Sequence, residues 1–298
     1  MLARLLRKMN LPPKEIRGYR LREVRKRRKK LAIKARNQLM KPVFKARNWL
    51  ASAAPSLIGV GCVNYRGLPL PPAHIRQGTA QFRDDAVFLD TATREAKRLQ
   101  DLCSLDASSR VLDVGCGSGR LPIGLLNAVG SLDGYCGIDV YRPSIDWCKR
   151  YIGRANPGAR FIHIDVQNEL YNKEGKQIDD SFRLPVDDGS FDVIYLCSVF
   201  SHMETNDVVN YLNEFNRLLS PKGCVSLTAY VEDNVPDIEV NPDGYIHEWS
   251  GPLHCVRYDR EFVNQLVDGS GLCIDRFDHA APNHDGQSEI ILRRKVSS

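Results

Sequence analysis

RVLDVGCGSGR, residues 110–120, is the stretch from which the rest of the chain can be read. Val111, Leu112 and Val114 make a short apolar run with β-branched members, the pattern of a buried strand. Gly115, Gly117 and Gly119 follow within five residues. Leu121, Pro122, Ile123, Leu125 and Leu126 come next, an apolar set that suits a helix packed on a sheet. The spacing predicts strand, glycine turn, helix. Without Cβ atoms, such a turn lets a ligand come up against backbone. The helix it opens aims free N–H groups and the positive end of its dipole at that ligand.

Dinucleotides and S-adenosylmethionine are the two ligand classes that use this device. The dinucleotide fingerprint is G-x-G-x-x-G. This chain has G-x-G-x-G, with Asp113 two residues ahead of the first glycine. A carboxylate there suits a zwitterionic ligand with an ammonium group and is a poor neighbour for a pyrophosphate. A second strand follows from Tyr135 to Ile138 and ends in Asp139, at the distance along a βαβ unit where an acid meets ribose hydroxyls.

VLDVGCGSGR, GIDV, FIHIDV and LPVDDGSFDVIYLCSVFSHM together resemble the class I S-adenosylmethionine-dependent methyltransferases, notably the type-11 and type-25 domain groups, over roughly residues 80–295. The resemblance implies an α/β fold: a Rossmann-like, seven-stranded, mostly parallel sheet with helices on both faces and its last strand antiparallel. It implies an enzyme with S-adenosyl-L-methionine as cofactor and no metal. It also implies a cofactor-binding set of Asp113, Gly115, Cys116, Gly117, Gly119, Arg120, Asp139, Val140, Asp165, Val166 and Ser198. Within that set Asp113 orients the ammonium group, Asp139 takes the ribose hydroxyls and Val140 lies on the adenine. Asp165 accepts from the adenine amino group, and the Val166 N–H meets a ring nitrogen. Arg76, ahead of the first strand, is a candidate for the cofactor carboxylate.

The reacting side carries fewer signals. A general base is needed only where the acceptor holds its proton at neutral pH, as a hydroxyl does. His202, in Ser198–Met203 just past strand four, is the catalytic candidate, since histidine titrates near neutrality. Tyr245, His247, Glu248, Trp249 and His254 lie in the stretch after strand five where acceptor sites are often built, and the two larger rings suit a sugar face. The Asn-Pro-Pro-Tyr signature by which this fold often marks amino-nitrogen methylation is absent after strand four. The acceptor expected is therefore a hydroxyl of a small molecule or glycan. RNA or protein methylation is the alternative.

Charge divides the chain. Residues 1–50 hold 18 Lys and Arg against Glu15 and Glu23, net +16; the rest holds 24 basic and 34 acidic residues, net −10. Arg25 to Lys30 is six consecutive cations, with Leu21, Val24, Leu31, Ile33 and Leu39 interspersed, so a helix from about Lys14 to Lys41 is expected. An anionic membrane surface, a nucleic acid or no specific partner are its three uses. Aromatic residues for base stacking are sparse there. Residues 51–80 are Pro/Gly-rich and expected as an irregular linker, and residues 81–298 as the catalytic domain. No run of 18 apolar residues predicts a membrane-spanning helix. A signal peptide would need its apolar core nearer the start. The arm is Arg-rich and acid-poor like a transit peptide, but has no serine before Ser52. Nine scattered cysteines without a C-x-x-C pair point to reduced thiols and a cytoplasmic setting, to which the membrane use of the arm would add peripheral contact with a membrane surface.

The body alternates strand and helix. Helices are expected at Gln81–Cys103, Leu121–Ala128, Tyr141–Arg154, Asn206–Leu219 and Asp259–Val267. Strands are expected at Val111–Val114, Tyr135–Asp139, Arg160–Ile164, Phe191–Cys197, Cys224–Val231, Cys273–His279 and Glu289–Arg293. Glu232–Cys255 reads as irregular.

Overall fold

β3 (Val111–Val114) is buried at all four positions and lies inside the sheet. β4 (Tyr135–Asp139) is buried throughout as well. Strands this apolar belong where helices cover both faces of a parallel sheet. The computed structural model describes residues 61–179, 181–249, 251–281 and 284–295. The basic arm of residues 1–50 and its expected helix lie outside the described residues.

β4 pairs parallel with one side of β3, and β6 (Phe191–Leu196) with the other. β5 (Arg160–His163) extends the β4 side and β7 (Leu219–Glu232) the β6 side, both parallel. β11 (Ser288–Arg294) runs antiparallel to β7, and β10 (Leu272–Asp278) antiparallel to β11. The seven-stranded spine expected from the sequence is therefore ordered β10-β11-β7-β6-β3-β4-β5, with β11 reversed against the other six.

Two further strands enlarge it. β7 pairs with β6 only as far as Leu227, so its last residues would show open backbone groups. β9 (Val256–Asp259) satisfies them, pairing parallel at Tyr230–Glu232, and β8 (Ile238–Val240) pairs antiparallel with β9. The stretch expected to be irregular after Glu232 thus contributes a strand. β7 also starts earlier than expected. Its register to β6 shifts between Phe191 and Val193, a bulge that accommodates Pro221 and Gly223.

The linker expectation is corrected over its described part. β1 (Val63–Tyr65) and β2 (Leu68–Leu70) form an antiparallel hairpin. Arg66 and Gly67, at φ 55° and 81°, are both left-handed, as a two-residue hairpin turn requires. Leu70 is fully buried, and Val63, Tyr65 and Leu68 pack on the core around it, so the hairpin belongs to the body.

Helices close both faces. α1 (Asp85–Cys103), α2 (Arg120–Ala128) and α3 (Arg142–Cys148) cover one, α4 (Thr205–Leu218) and α5 (Arg260–Gly269) the other. α1 begins at Asp84, whose carboxylate caps the Val87 N–H; a separate 3₁₀ turn, Ala80–Arg83, precedes it. α3 passes into a π turn at Lys149–Gly153. The expectation of reduced thiols is corrected at one pair. Cys103, ending α1, and Cys224, on β7, are joined as a disulfide across the helix–sheet interface. Pairing of residues 121 apart has no local signature. No helix among the described residues is long and apolar enough to cross a membrane.

Candidate active site

The order of the spine reverses at β3: the chain goes from β3 outward to β4 and β5, then returns to β6. Ligands of open α/β sheets sit outside the carboxyl ends of the strands at such a point. A cleft opens there, walled by the turn after β3, the ends of β4 and β6, and the segments Gln77–Phe88 and Ile164–Ile178.

The glycine turn is fastened to β4 by the N–H groups of Gly115 and Cys116, both donating to the Ile138 carbonyl. Gly115 and Gly117 have φ of 73° and 53°. A Cβ on Gly115 would meet Val199 Cγ2 at 2.6 Å, and one on Gly117 would meet Gln77 Oε1 at 2.6 Å. Bare backbone therefore faces the cleft at both positions.

Two buried carboxylates flank the turn. Asp139 Oδ2 accepts the Gly117 N–H at 2.7 Å, and Oδ1 accepts the Tyr141 N–H at 2.7 Å. Burial raises its pKa, and those N–H groups oppose the rise. Asp113 accepts from the Tyr135 hydroxyl at 2.6 Å. Burial pushes its carboxyl up to about 7, against the pull of that hydroxyl and of Arg120. An acid this far from its ordinary range, buried in a cleft wall, is suited to a cationic ligand that restores its charge.

Arg120 is the cation of the cleft. Its Nη2 stands 3.4 Å from the Tyr195 hydroxyl and 3.5 Å from Cys197 Sγ, and its guanidinium lies over the Phe82 ring. Arg76 is not there. It is buried, donating to the carbonyls of Pro71 and Phe82 and pairing with Asp85, so it clamps the approach to α1. Arg120, and not Arg76, is thus the arginine that lines the cleft.

Of the other expected residues, Cys116, Val140, Val166 and Ser198 also line the cleft, with His202. Gly119 does not: a Cβ there would meet Ile152 and Cys148, so this glycine serves the packing of α2 on the π turn. Asp165 does not either. It is exposed, and its carboxylate accepts from Asn172 Nδ2. Gln77, Phe82, Asn168, Tyr171 and Tyr211 are cleft residues that the sequence did not single out. They sit in irregular segments or on the inner face of α4, where no motif spacing marks them.

Ser198, just past β6, has φ 56° although it is not glycine. Three hydrogen bonds hold it in that conformation. Its N–H donates to Thr228 Oγ1, Thr228 Oγ1 donates to Gln287 Oε1, and Gln287 Nε2 donates to Ser198 Oγ. Such backbone strain persists only where the surroundings over-determine it.

His202 ends the 3₁₀ turn Phe200–His202. The Tyr258 hydroxyl pins that turn through the Phe200 and Met203 carbonyls. His202 Nδ1 lies 3.0 Å from the Leu253 carbonyl. A carbonyl only accepts, so Nδ1 carries the proton and Nε2 keeps a lone pair. Burial lowers the pKa of the ring, and it is neutral near pH 7. Tyr245, His247, Trp249 and His254 were expected on the acceptor side. They pack edge to face in one cluster with Tyr230, and none of the four lines the cleft. Among the described residues no three His, Cys, Asp or Glu side chains gather as metal ligands.

Residues 111–223 match the family model described as a methyltransferase domain. Among curated proteins, the 27-O-demethylrifamycin SV methyltransferase of Amycolatopsis mediterranei is 28% identical over 148 residues, 50% of this chain and 48% of that protein. A demethylmenaquinone methyltransferase of Lactobacillus johnsonii is 26% identical over 162 residues, 54% and 60% of the two chains. The chain thus spans about half the length of these curated relatives. Among solved structures, the geranyl diphosphate C-methyltransferase of Streptomyces coelicolor aligns with a TM-score of 0.49 at 14% identity, covering 68% of this chain and 77% of that one.

Proposed function

We propose that this chain, whose body is a class I S-adenosylmethionine-dependent methyltransferase domain, methylates a hydroxyl of a small molecule. The residues present fit the cofactor. Asp113 is only about half ionised at pH 7, and the donor's ammonium group would complete its charge. Arg120 would hold the donor's carboxylate, Asp139 the ribose hydroxyls, and Val140 and Val166 the faces of the adenine. Bound there, S-adenosylmethionine supplies a methyl group already activated on a sulfonium. What remains for the protein is to position the acceptor, exclude water and remove a proton.

His202 carries the hydroxyl reading. Its tautomer is set by the Leu253 carbonyl, it is uncharged near pH 7, and it lines the cleft. A neutral imidazole with a free Nε2 takes a proton from an alcohol or phenol as the oxygen attacks, then returns it to solvent. A carbon or sulfur nucleophile would have less need of it. The two curated relatives named above act, by their names, on the small molecules demethylrifamycin SV and demethylmenaquinone, which supports an acceptor of that size.

The test is transfer of a labelled methyl group from S-adenosylmethionine, by the full chain, into lysate fractions separated as small molecules, glycans, lipids, RNA and protein. Label in a small-molecule fraction as a base-stable ether supports the reading. Label confined to RNA or protein would replace it with docking of a macromolecule, a role for which residues 1–50 have the charge.

A further inference from the structure

Asn241 follows β8 directly and Cys255 directly precedes β9, so the two residues continue that antiparallel pair by one rung. The rung is irregular. The Asn241 N–H donates to the Cys255 carbonyl at 2.7 Å, as a ladder requires. The Cys255 N–H donates instead to the side chain, reaching Asn241 Oδ1 at 2.9 Å. Asn241 Nδ2 in turn donates to the Gly251 carbonyl at 2.7 Å. Both partners of the amide are backbone groups, one a donor and one an acceptor, so they fix which way round it sits. Asn241 has φ 50°, a left-handed backbone that asparagine tolerates. One side chain thus ties together both ends of the segment 251–255.

Leu253 stands at the centre of that segment with φ 48°. In a leucine this conformation crowds Cβ against the carbonyl that follows, and it persists only where the surroundings over-determine it. The Leu253 side chain packs against the core, which fixes where the residue lies. Which way its carbonyl turns depends on the peptides to either side, and those belong to the segment that the Asn241 amide closes. The carbonyl so turned is the one 3.0 Å from His202 Nδ1. Tyr171 stands edge to face with the His202 ring, a contact that does not distinguish one tautomer from the other.

We infer that Asn241 is a positioning residue for His202: by closing the segment 251–255 it holds Leu253 left-handed with its carbonyl on Nδ1, and so keeps the ring proton off Nε2. A histidine ring in water carries its proton mainly on Nε2. The hydrogen bond at the other nitrogen is what reverses that preference. Without the amide the ring would return to the tautomer whose Nε2 cannot accept a proton. Neither Asn241 nor Leu253 lines the cleft, so the effect reaches the site through His202 alone. The importance of the tautomer for turnover rests on His202 being the base of the proposed hydroxyl methylation; the tautomer itself does not.

The experiment observes the ring nitrogens by NMR at about pH 8 in the full-length chain carrying isotope-labelled histidine. His202 is assigned by the signals missing from His202→Gln. Calorimetry gives S-adenosylhomocysteine affinity, and labelled methyl transfer from S-adenosylmethionine into the small-molecule fraction of lysate gives the rate. In the unaltered chain His202 should be protonated on Nδ1. Asn241→Gly keeps the left-handed backbone and removes the amide. In it the ring should become mainly Nε2-protonated and the transfer rate should fall at least about tenfold, with S-adenosylhomocysteine affinity within about twofold. Asn241→Asp keeps the bond from the Cys255 N–H and should fall between the two; it decides the matter if Asn241→Gly does not fold. A ring protonated on Nε2 in the unaltered chain, or still protonated on Nδ1 in the variants, would overturn the inference. So would a changed tautomer with an unchanged transfer rate, or a loss of S-adenosylhomocysteine affinity in step with the rate. The expected tautomers in a chain that transfers no methyl group to that fraction would count against the proposed function and leave the hold of Asn241 on His202 standing.

Discussion

The Tyr135 hydroxyl reaches Asp113 Oδ2 at 2.6 Å across neighbouring parallel strands, passing Gly137, where a Cβ would lie 3.0 Å from that hydroxyl. The bond fixes the carboxyl in the cleft wall but does not overcome its burial, which leaves Asp113 titrating at about 7. Cofactor binding should therefore release a proton. Below pH 7 affinity for S-adenosylmethionine should rise about tenfold per pH unit, and above pH 8 it should level off. At pH 7 calorimetry in two buffers of different ionisation enthalpy should find about half a proton released per site. Binding with no release there would mean that Asp113 does not meet the ammonium group.

The same carboxyl shapes the stability of the free protein. Its folded pKa is raised above the unfolded value of about 3.9, so the stability it contributes is fully present below pH 4 and is lost as pH climbs to 7. The loss is on the order of 4 kcal/mol at most. Urea unfolding at pH 5 and pH 8 should show a smaller difference for Asp113→Asn than for the unaltered chain. Equal differences would refute the assignment.

Asp139 uses one carboxylate oxygen on Gly117 and the other on Tyr141, and so sets the glycine turn against β4. Asp139→Asn can keep only one of these bonds. Cofactor binding should weaken by about 1.5–3 kcal/mol, the scale for a hydrogen bond to a charged group. A change of a few tenths, measured by calorimetry, would leave Asp139 no part in the site.

Gly124 and Gly269 should respond oppositely to alanine. A Cβ on Gly124 would lie 2.1 Å from the Ala92 carbonyl oxygen, where α2 crosses α1, and backbone cannot step aside. Gly124→Ala should cost about 3 kcal/mol or more. Gly269 has open space around it and ends α5 without a left-handed backbone, so Gly269→Ala should gain about 0.4–1 kcal/mol. Thermal melts of the two variants check both signs.

His202→Gln should lower kcat by about 10²–10⁴-fold once an acceptor hydroxyl is identified, with S-adenosylhomocysteine affinity within twofold of the unaltered chain. Loss of affinity in step with kcat would instead make His202 a wall of the cofactor site.

The parts of the site legible in the sequence are those where ligand chemistry pins a residue type to a strand end. Asp113, Gly115, Gly117 and Asp139 are spaced by one βαβ unit, and all four reach the cleft. Arg76 and Arg120 could not be ranked beforehand. Arg120 follows the glycine turn directly and Arg76 lies in the stretch ahead of the first helix, and only the fold shows Arg76 enclosed by Pro71, Phe82 and Asp85. Asp165 follows β5 as a cofactor acid would, but the bridge between Val166 and Lys176 turns the chain there and leaves it outside. β8, β9 and the Cys103–Cys224 bond depend on what lies beside them in space, so no local pattern announces them. The hairpin Val63–Leu70 is hidden by its Gly67 and Pro69, which read equally as turn and as linker.

Because β7 outlasts β6, the chain leaves β7 at Glu232, adds β8 and returns to that edge at Val256, beside the strand it has just left. From the strand spacing and rise, those two points are about 11 Å apart whatever lies between them. The closure penalty for a replacement segment grows by only about 0.6 kcal/mol per doubling of its length. This corner is therefore a natural splice point, at which recombination can exchange one insert for another while the glycine turn, Asp113 and Asp139 stay as they are. A library built by shuffling residues 233–255 should yield folded proteins that keep their affinity for S-adenosylhomocysteine, since no residue of that segment lines the cleft.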